Sequence, residues 1–202
     1  MFFVLATLVS VVVAALRKCT FDNVVGQPFR WSWLVVGGIF LHLVVALPWF
    51  ARPLENHLFG LAIPLGVFLY SASFLLLIGF LLANWWRTGF PILFLGLALN
   101  LTEILLNGGQ MPGDPHQLAA GGFLNDLLRE RAAGLWTQFT LVGPTTRLPL
   151  LADRIFMPLP FREPVILSIG DLIIALGCFV FFNDVRIAFR RGPFRSRRLS
   201  AP

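Results

Sequence analysis

The chain has 202 residues, 57% of them hydrophobic and only 13% charged, with a mean hydropathy of +0.79. A soluble domain runs closer to half apolar and a quarter charged, and a chain this short cannot hide so much apolar surface in one core. The formal net charge of +6 comes almost wholly from arginines at the ends of apolar segments and in the tail (Arg190, Arg191, Arg195, Arg197, Arg198), which speaks for orientation in a membrane and against nucleic acid as a partner.

The expected fold class is all-α: an integral membrane helical bundle of about five transmembrane helices, with residues 1–202 forming one domain. The first apolar run, 1–16, stops at Arg17-Lys18. It is short for a span, which needs roughly 20 residues. A signal peptide is the alternative, but the positive charges follow the apolar core instead of preceding it. That order suits a helix with its N-terminus outside. The second span, 31–50, carries Trp31, Trp33 and Trp49 at its ends, as an interfacial aromatic belt would. A short outer turn through Arg52, Glu55 and His57 leads to the third span, 58–86, where Pro64 and Gly66 allow a kink. Arg87-Thr88-Gly89 turns the chain on the cytoplasmic side, and the fourth span covers 90–107.

Residues 108–163 form the one long connection, expected outside. Phe123, Leu124, Leu127, Leu128, Leu135, Trp136 and Phe139 recur there with helical period, which predicts an amphipathic helix on the outer surface or packed over the bundle. Five prolines between Pro144 and Pro164 predict extended backbone and turns for the rest. The fifth span, 165–182, precedes a cytoplasmic tail, 183–202. Of the two cysteines, Cys19 falls at the cytoplasmic end of the first helix and Cys178 inside the last, so no disulfide is expected.

Ionisable residues inside spans are costly and are functional candidates by default. His42, Glu103 and Asp171 are the three. Asn100, Glu103 and Asn107 share one face of the fourth helix, and Ser168, Asp171 and Cys178 one stripe of the fifth. The expected depths put His42, Glu103 and Asp171 in the outer half of the bundle, as one polar cluster beneath the long loop. Two carboxylates there repel each other, so one is protonated or a cation lies between them. His42, Arg147, Arg154, Arg162 or a bound ion could supply it, and Asp153 a further oxygen. The plain alternative is helix glue worth about 1 kcal/mol per contact. The hypothetical ligand-binding set is therefore His42, Asn100, Glu103, Asn107, Asp153, Ser168 and Asp171, with no metal ligand and no catalytic residue assigned. No GxSxG elbow, HExxH pair or Walker loop is present, which favours a non-enzyme, and no cofactor is identified.

Asn107-Gly108-Gly109-Gln110-Met111-Pro112, then Thr146-Arg147-Leu148-Pro149-Leu150-Leu151-Ala152-Asp153, then Ser168-Ile169-Gly170-Asp171 occur in that order. The set resembles a family of bacterial integral membrane proteins of unknown function, with the hallmarks NGG-x-MP, T-x-L-x-x-L-x-D and S-I-G-D. Ala152 and Arg154 depart from that pattern, standing where glycine and an apolar residue are usual. The resemblance implies the span number, their order and a bacterial inner membrane, but no activity.

Three functions are compatible with these features. The foremost is a non-enzymatic scaffold or accessory subunit of a membrane complex, in contact with the lipid bilayer and other membrane subunits. The second is a lipid-, small-ligand- or ion-handling protein using the outer polar cluster. The third is an enzyme acting on a lipid-linked substrate, with Asp171 or Glu103 as acid or base. The expected location is the plasma membrane, with the N-terminus outside and the C-terminus in the cytoplasm.

Overall fold

A computed structural model gives the fold. It describes residues 28–52, 63–159 and 164–190, with backbone only for 183–190. The expected first span, Cys19, the outer turn around His57, the start of the third span, Arg162 and the tail beyond Arg190 lie outside the described residues.

Among the described residues, four long helices follow from apolar runs that contain no interior proline. Helix α1 covers Ser32–Ala46. It stops because Leu47, preceding Pro48, is forced into extended backbone, after which Pro48–Phe50 make one 3₁₀ turn. Helix α2, Leu65–Ala83, begins directly after Pro64, so that proline starts the helix instead of kinking it. Helix α3, Phe90–Leu106, starts at Gly89 with Pro91 in its first turn. The last helix, α6, runs Ile169–Arg190. It therefore starts four residues later than expected and continues past Phe182. Helix α1 packs on α2, α2 on α3, and α3 most extensively on α6.

The helices bury one side only. Helix α1 leaves Val36, Ile39, Phe40 and Leu43 exposed, α2 leaves Phe68, Leu75 and Leu82, and α6 leaves Leu172, Leu176 and Phe179. These are stripes at helical spacing, apolar on the outside as well as within. Among the described residues one helix, Leu65–Ala83, is long and apolar enough to cross a membrane, and three shorter apolar helices accompany it.

The two ends of the bundle differ. At one end Phe29, Phe80, Phe90 and Phe181 form a ring cluster with centroids 5.2–6.4 Å apart. Buried Asn84 ties that end together, exchanging hydrogen bonds with the backbone N–H and C=O of Arg30 (both 2.9 Å). The Arg87 guanidinium donates to Pro28 O and lies 4.1 Å over the Phe29 ring.

The other end is closed by the 107–168 connection, and here the all-α expectation is corrected. Strand β1 (Met111–Gly113) pairs in parallel with β2 (Phe139–Leu141), with Met111 opposite Phe139. On its other side β1 bridges Asp153, whose N–H donates to Pro112 O (2.9 Å). Strand β3 (Ile155–Met157) pairs antiparallel with β4 (Val165–Leu167). That second pairing takes the residues expected to open the fifth span and delays α6 to Ile169. Between β1 and β2 lie two short helices, α4 (Pro115–Ala120) and α5 (Leu124–Ala132). The single amphipathic helix expected through Phe139 is thus much shorter. It stops at Ala132 because Gly134 takes φ +65°, closing the turn with Leu135 N–H on Glu130 O. Phe139 is in a strand, and Trp136 drops into the core at 5% exposure.

The Asn107-Gly108-Gly109 segment ends α3, as its composition predicts. Gly108 and Gly109 have φ of +73° and +84°, and a Cβ on Gly109 would collide with Val67. Asn107 is the C-cap, and its side chain moors the connection: Nδ2 donates to Arg147 O (3.0 Å) while Arg147 N–H donates to Oδ1 (2.9 Å).

Candidate functional site

The site grows from the first turn of α6. Ser168 precedes that helix and Asp171 closes its first turn, so Ser-x-x-Asp forms a reciprocal capping pair. Asp171 N–H donates to Ser168 Oγ (3.1 Å), and Ser168 N–H donates to Asp171 Oδ2 (3.0 Å). Asp171 therefore sits in the first turn of α6, because β4 occupies the residues before Ser168.

Helix α3 supplies the next component. Asn100, 5% exposed, donates Nδ2 to Asp171 Oδ1 (3.0 Å), and its Oδ1 lies 3.0 Å from Ser168 Oγ. The serine carries one hydroxyl proton for two acceptors, Asn100 Oδ1 and Asp171 Oδ2 (3.0 Å), and serves one at a time. Gly170 makes this contact possible, since a Cβ there would collide with the Asn100 amide.

The cap supplies Asp153, held in place by the backbone bridge to β1. Its side chain is 5% exposed, and Oδ1 has no hydrogen-bond partner among the described residues. Burial pushes the Asp153 carboxyl well above the usual carboxylate range, and the negative charges of Asp171 and Glu103 push the same way. Helices α1 and α2 supply an aromatic wall. The His42 ring lies 5.5 Å from Tyr70 and 5.8 Å from Phe74. Ser73 Oγ donates to Tyr70 O (2.6 Å) and lies 3.4 Å from His42 Nδ1.

These groups line a cavity of about 460 Å³ between the helix ends and the cap. His42, Tyr70, Asn100, Asp153 and Asp171 form its polar wall, with Val45, Phe74, Ile104, Met111 and Trp136 among the apolar lining. Asp126 and Glu130 of α5 stand at its edge. Trp136 Nε1 and Gln138 Nε2, on residues of the same lining, are buried donors without partners among the described residues. The arrangement offers hydrogen-bond donors, carboxylates and an apolar body to one small molecule.

Four of the seven residues expected from sequence, His42, Asn100, Asp153 and Asp171, therefore meet at one cavity. Ser168 stands behind them as the capping partner. Glu103 is fully buried within the field of Asp153 but outside the cavity lining, and neither of its oxygens has a hydrogen-bond partner among the described residues. Asn107 is elsewhere, mooring Arg147. The expected counter-cations Arg147 and Arg154 are exposed and do not line the cavity. Among the described residues no group of three His, Cys, Asp or Glu is placed to hold a metal ion. Sequence reasoning missed Tyr70 and Trp136. The available signal was that Tyr70 is the one tyrosine in the chain, set in an otherwise apolar helix.

Comparison with known proteins places residues 27–183 in a family described as a family of unknown function, DUF5317, and the chain belongs to it. An uncharacterized protein of Thermotoga maritima is 32% identical over 114 residues, which is 56% of this chain and 62% of that relative. The chain thus covers less than two thirds of that relative's length. No solved structure matches.

Proposed function

With membership of this family as the premise, we propose that the chain is a multi-pass protein of the plasma membrane that binds a small lipid-like amphiphile in the capped end of its bundle. The cavity carries this reading. Ligand sites of about 300–1,000 Å³ are mostly apolar, with a few fixed polar groups and a position between helices of a bundle. Here an apolar wall accepts a hydrocarbon portion, while Asn100, Asp153 and Asp171 converge to orient a head group. The apolar stripes on the outer faces of α1, α2 and α6 support immersion in lipid, since water would make them costly. In this reading the chain has about five spans, and Arg30 and Arg87 at the opposite end support an orientation with the cap and cavity outside and the C-terminus in the cytoplasm.

The test is native mass spectrometry of protein extracted gently from its own membranes. We expect a protomer carrying a fixed extra mass, which Asp153→Asn reduces. A protomer with no adduct in every preparation, and none regained from added membrane lipid extract, sinks the reading. The same exposed stripes also suit a scaffold or accessory subunit, and a discrete larger assembly in that spectrum favours this second reading.

A further inference from the structure

The cavity lining is strongly one-sided in charge. The chain has sixteen Lys and Arg against ten Asp and Glu, yet among the described residues the lining contains four carboxylates and neither Lys nor Arg. Asp153 and Asp171 stand within, and Asp126 and Glu130 at the edge. Arg129 approaches Asp126 at 3.7 Å, but on the exposed side of α5, where an ion pair contributes little. Glu103 acts on Asp153 from outside the lining, and its own charge is opposed there by exposed Arg154.

Building repulsion into one buried place is costly unless a proton or something of opposite charge relieves it, and a bound cation takes the place of that proton. Asp171 is already committed, receiving Asn100 Nδ2, Ser168 N–H and, in alternation with Asn100 Oδ1, the Ser168 hydroxyl. Asp153 is not: it is 5% exposed, fixed by its backbone to β1, and has an oxygen without a partner among the described residues. A compact divalent ion needs several oxygens converging at about 2.0–2.6 Å. Among the described residues no three His, Cys, Asp or Glu groups are placed for that. An organic cation has no such requirement. It spreads its charge over a larger radius, fills volume, and is attracted to aromatic faces. Tyr70 and Trp136 supply aromatic rings in the same lining as both aspartates.

Resting on the amphiphile reading above, we infer that the bound molecule has a cationic head, an alkylammonium or quaternary ammonium group. Asp153 is its counter-ion, Asp171 supports it, and the aromatic wall receives its alkyl substituents.

The experiment is a binding titration on full-length protein in a neutral maltoside detergent. Its probes are octyltrimethylammonium, octyl sulfate and 1-octanol, each below its aggregation concentration. Octyltrimethylammonium should bind roughly tenfold more tightly than the other two, and Asp153→Asn should remove most of that difference. Glu130→Gln, a change at the cavity edge, should reduce the preference by a smaller factor and remains usable if Asp153→Asn does not fold. Equal binding of the three probes, a preference for the sulfate, or an undiminished preference in folded Asp153→Asn overturns the cationic head while leaving an amphiphile site standing. Binding of none of the three removes both.

Discussion

Ser168 and Asp153 illustrate two ways a single polar side chain shapes this end of the bundle. Ser168 satisfies a helix terminus and holds Asp171 in one rotamer. Replacing it by alanine should cost about 1 kcal/mol of stability, the usual cost of losing an N-cap. Ser168→Thr should restore most of it in the same thermal-unfolding assay. Asp153 acts through its proton. Its folded carboxyl binds a proton more tightly than the unfolded one, because of burial and then the neighbouring Asp171 and Glu103. Its contribution to stability is therefore fully present below the ordinary value of about 3.9, and is lost as pH rises through the higher folded value. Unfolding midpoints measured against pH should fall over that window in the wild type, and Asp153→Asn should flatten this part of the profile.

At the scale of elements, the tightest seam is α3 against α6. A Cβ on Gly96 would lie 2.6 Å from Gly170 O, and one on Gly177 2.8 Å from Leu93 N. Such contacts force backbone apart, so Gly96→Ala should destabilise by about 1–3 kcal/mol. Gly37 of α1 is the useful contrast, since a Cβ there meets Leu76 at an ordinary 3.6 Å. Gly37→Ala should be neutral or stabilise by up to about 1 kcal/mol through helix propensity. Denaturation of the two variants in one detergent checks both. The four helices were legible as long apolar runs, but their bounds were less so, since Pro48 and Pro64 were expected within spans and instead lie at helix ends. The cap was not legible. Its strands are three residues long, and their pairing joins Met111 to Phe139 and Ile155 to Leu167, partners that no local period announces. Asn100 and Asp171 stood out by type and spacing. Trp136 did not, because its place depends on the reversal at Gly134 and on room left beside Gly66.

At the scale of the whole molecule, the proposed orientation makes one demand on the cell. A fluorescent protein fused after Pro202 should fold and fluoresce in the cytoplasm, whereas alkaline phosphatase fused there should be inactive; the reverse pair would invert the topology. The moored connection offers a complementary handle. Asn107 grips the backbone of Arg147, and the bridge to β1 grips that of Asp153, so the exposed Gly143-Pro144-Thr145 tip lies outside both attachments. Foreign sequence spliced between Pro144 and Thr145 would load neither clasp. In the proposed orientation a short antibody epitope placed there should be stained on spheroplasts with the cavity undisturbed, making this tip the natural place from which to label the protein.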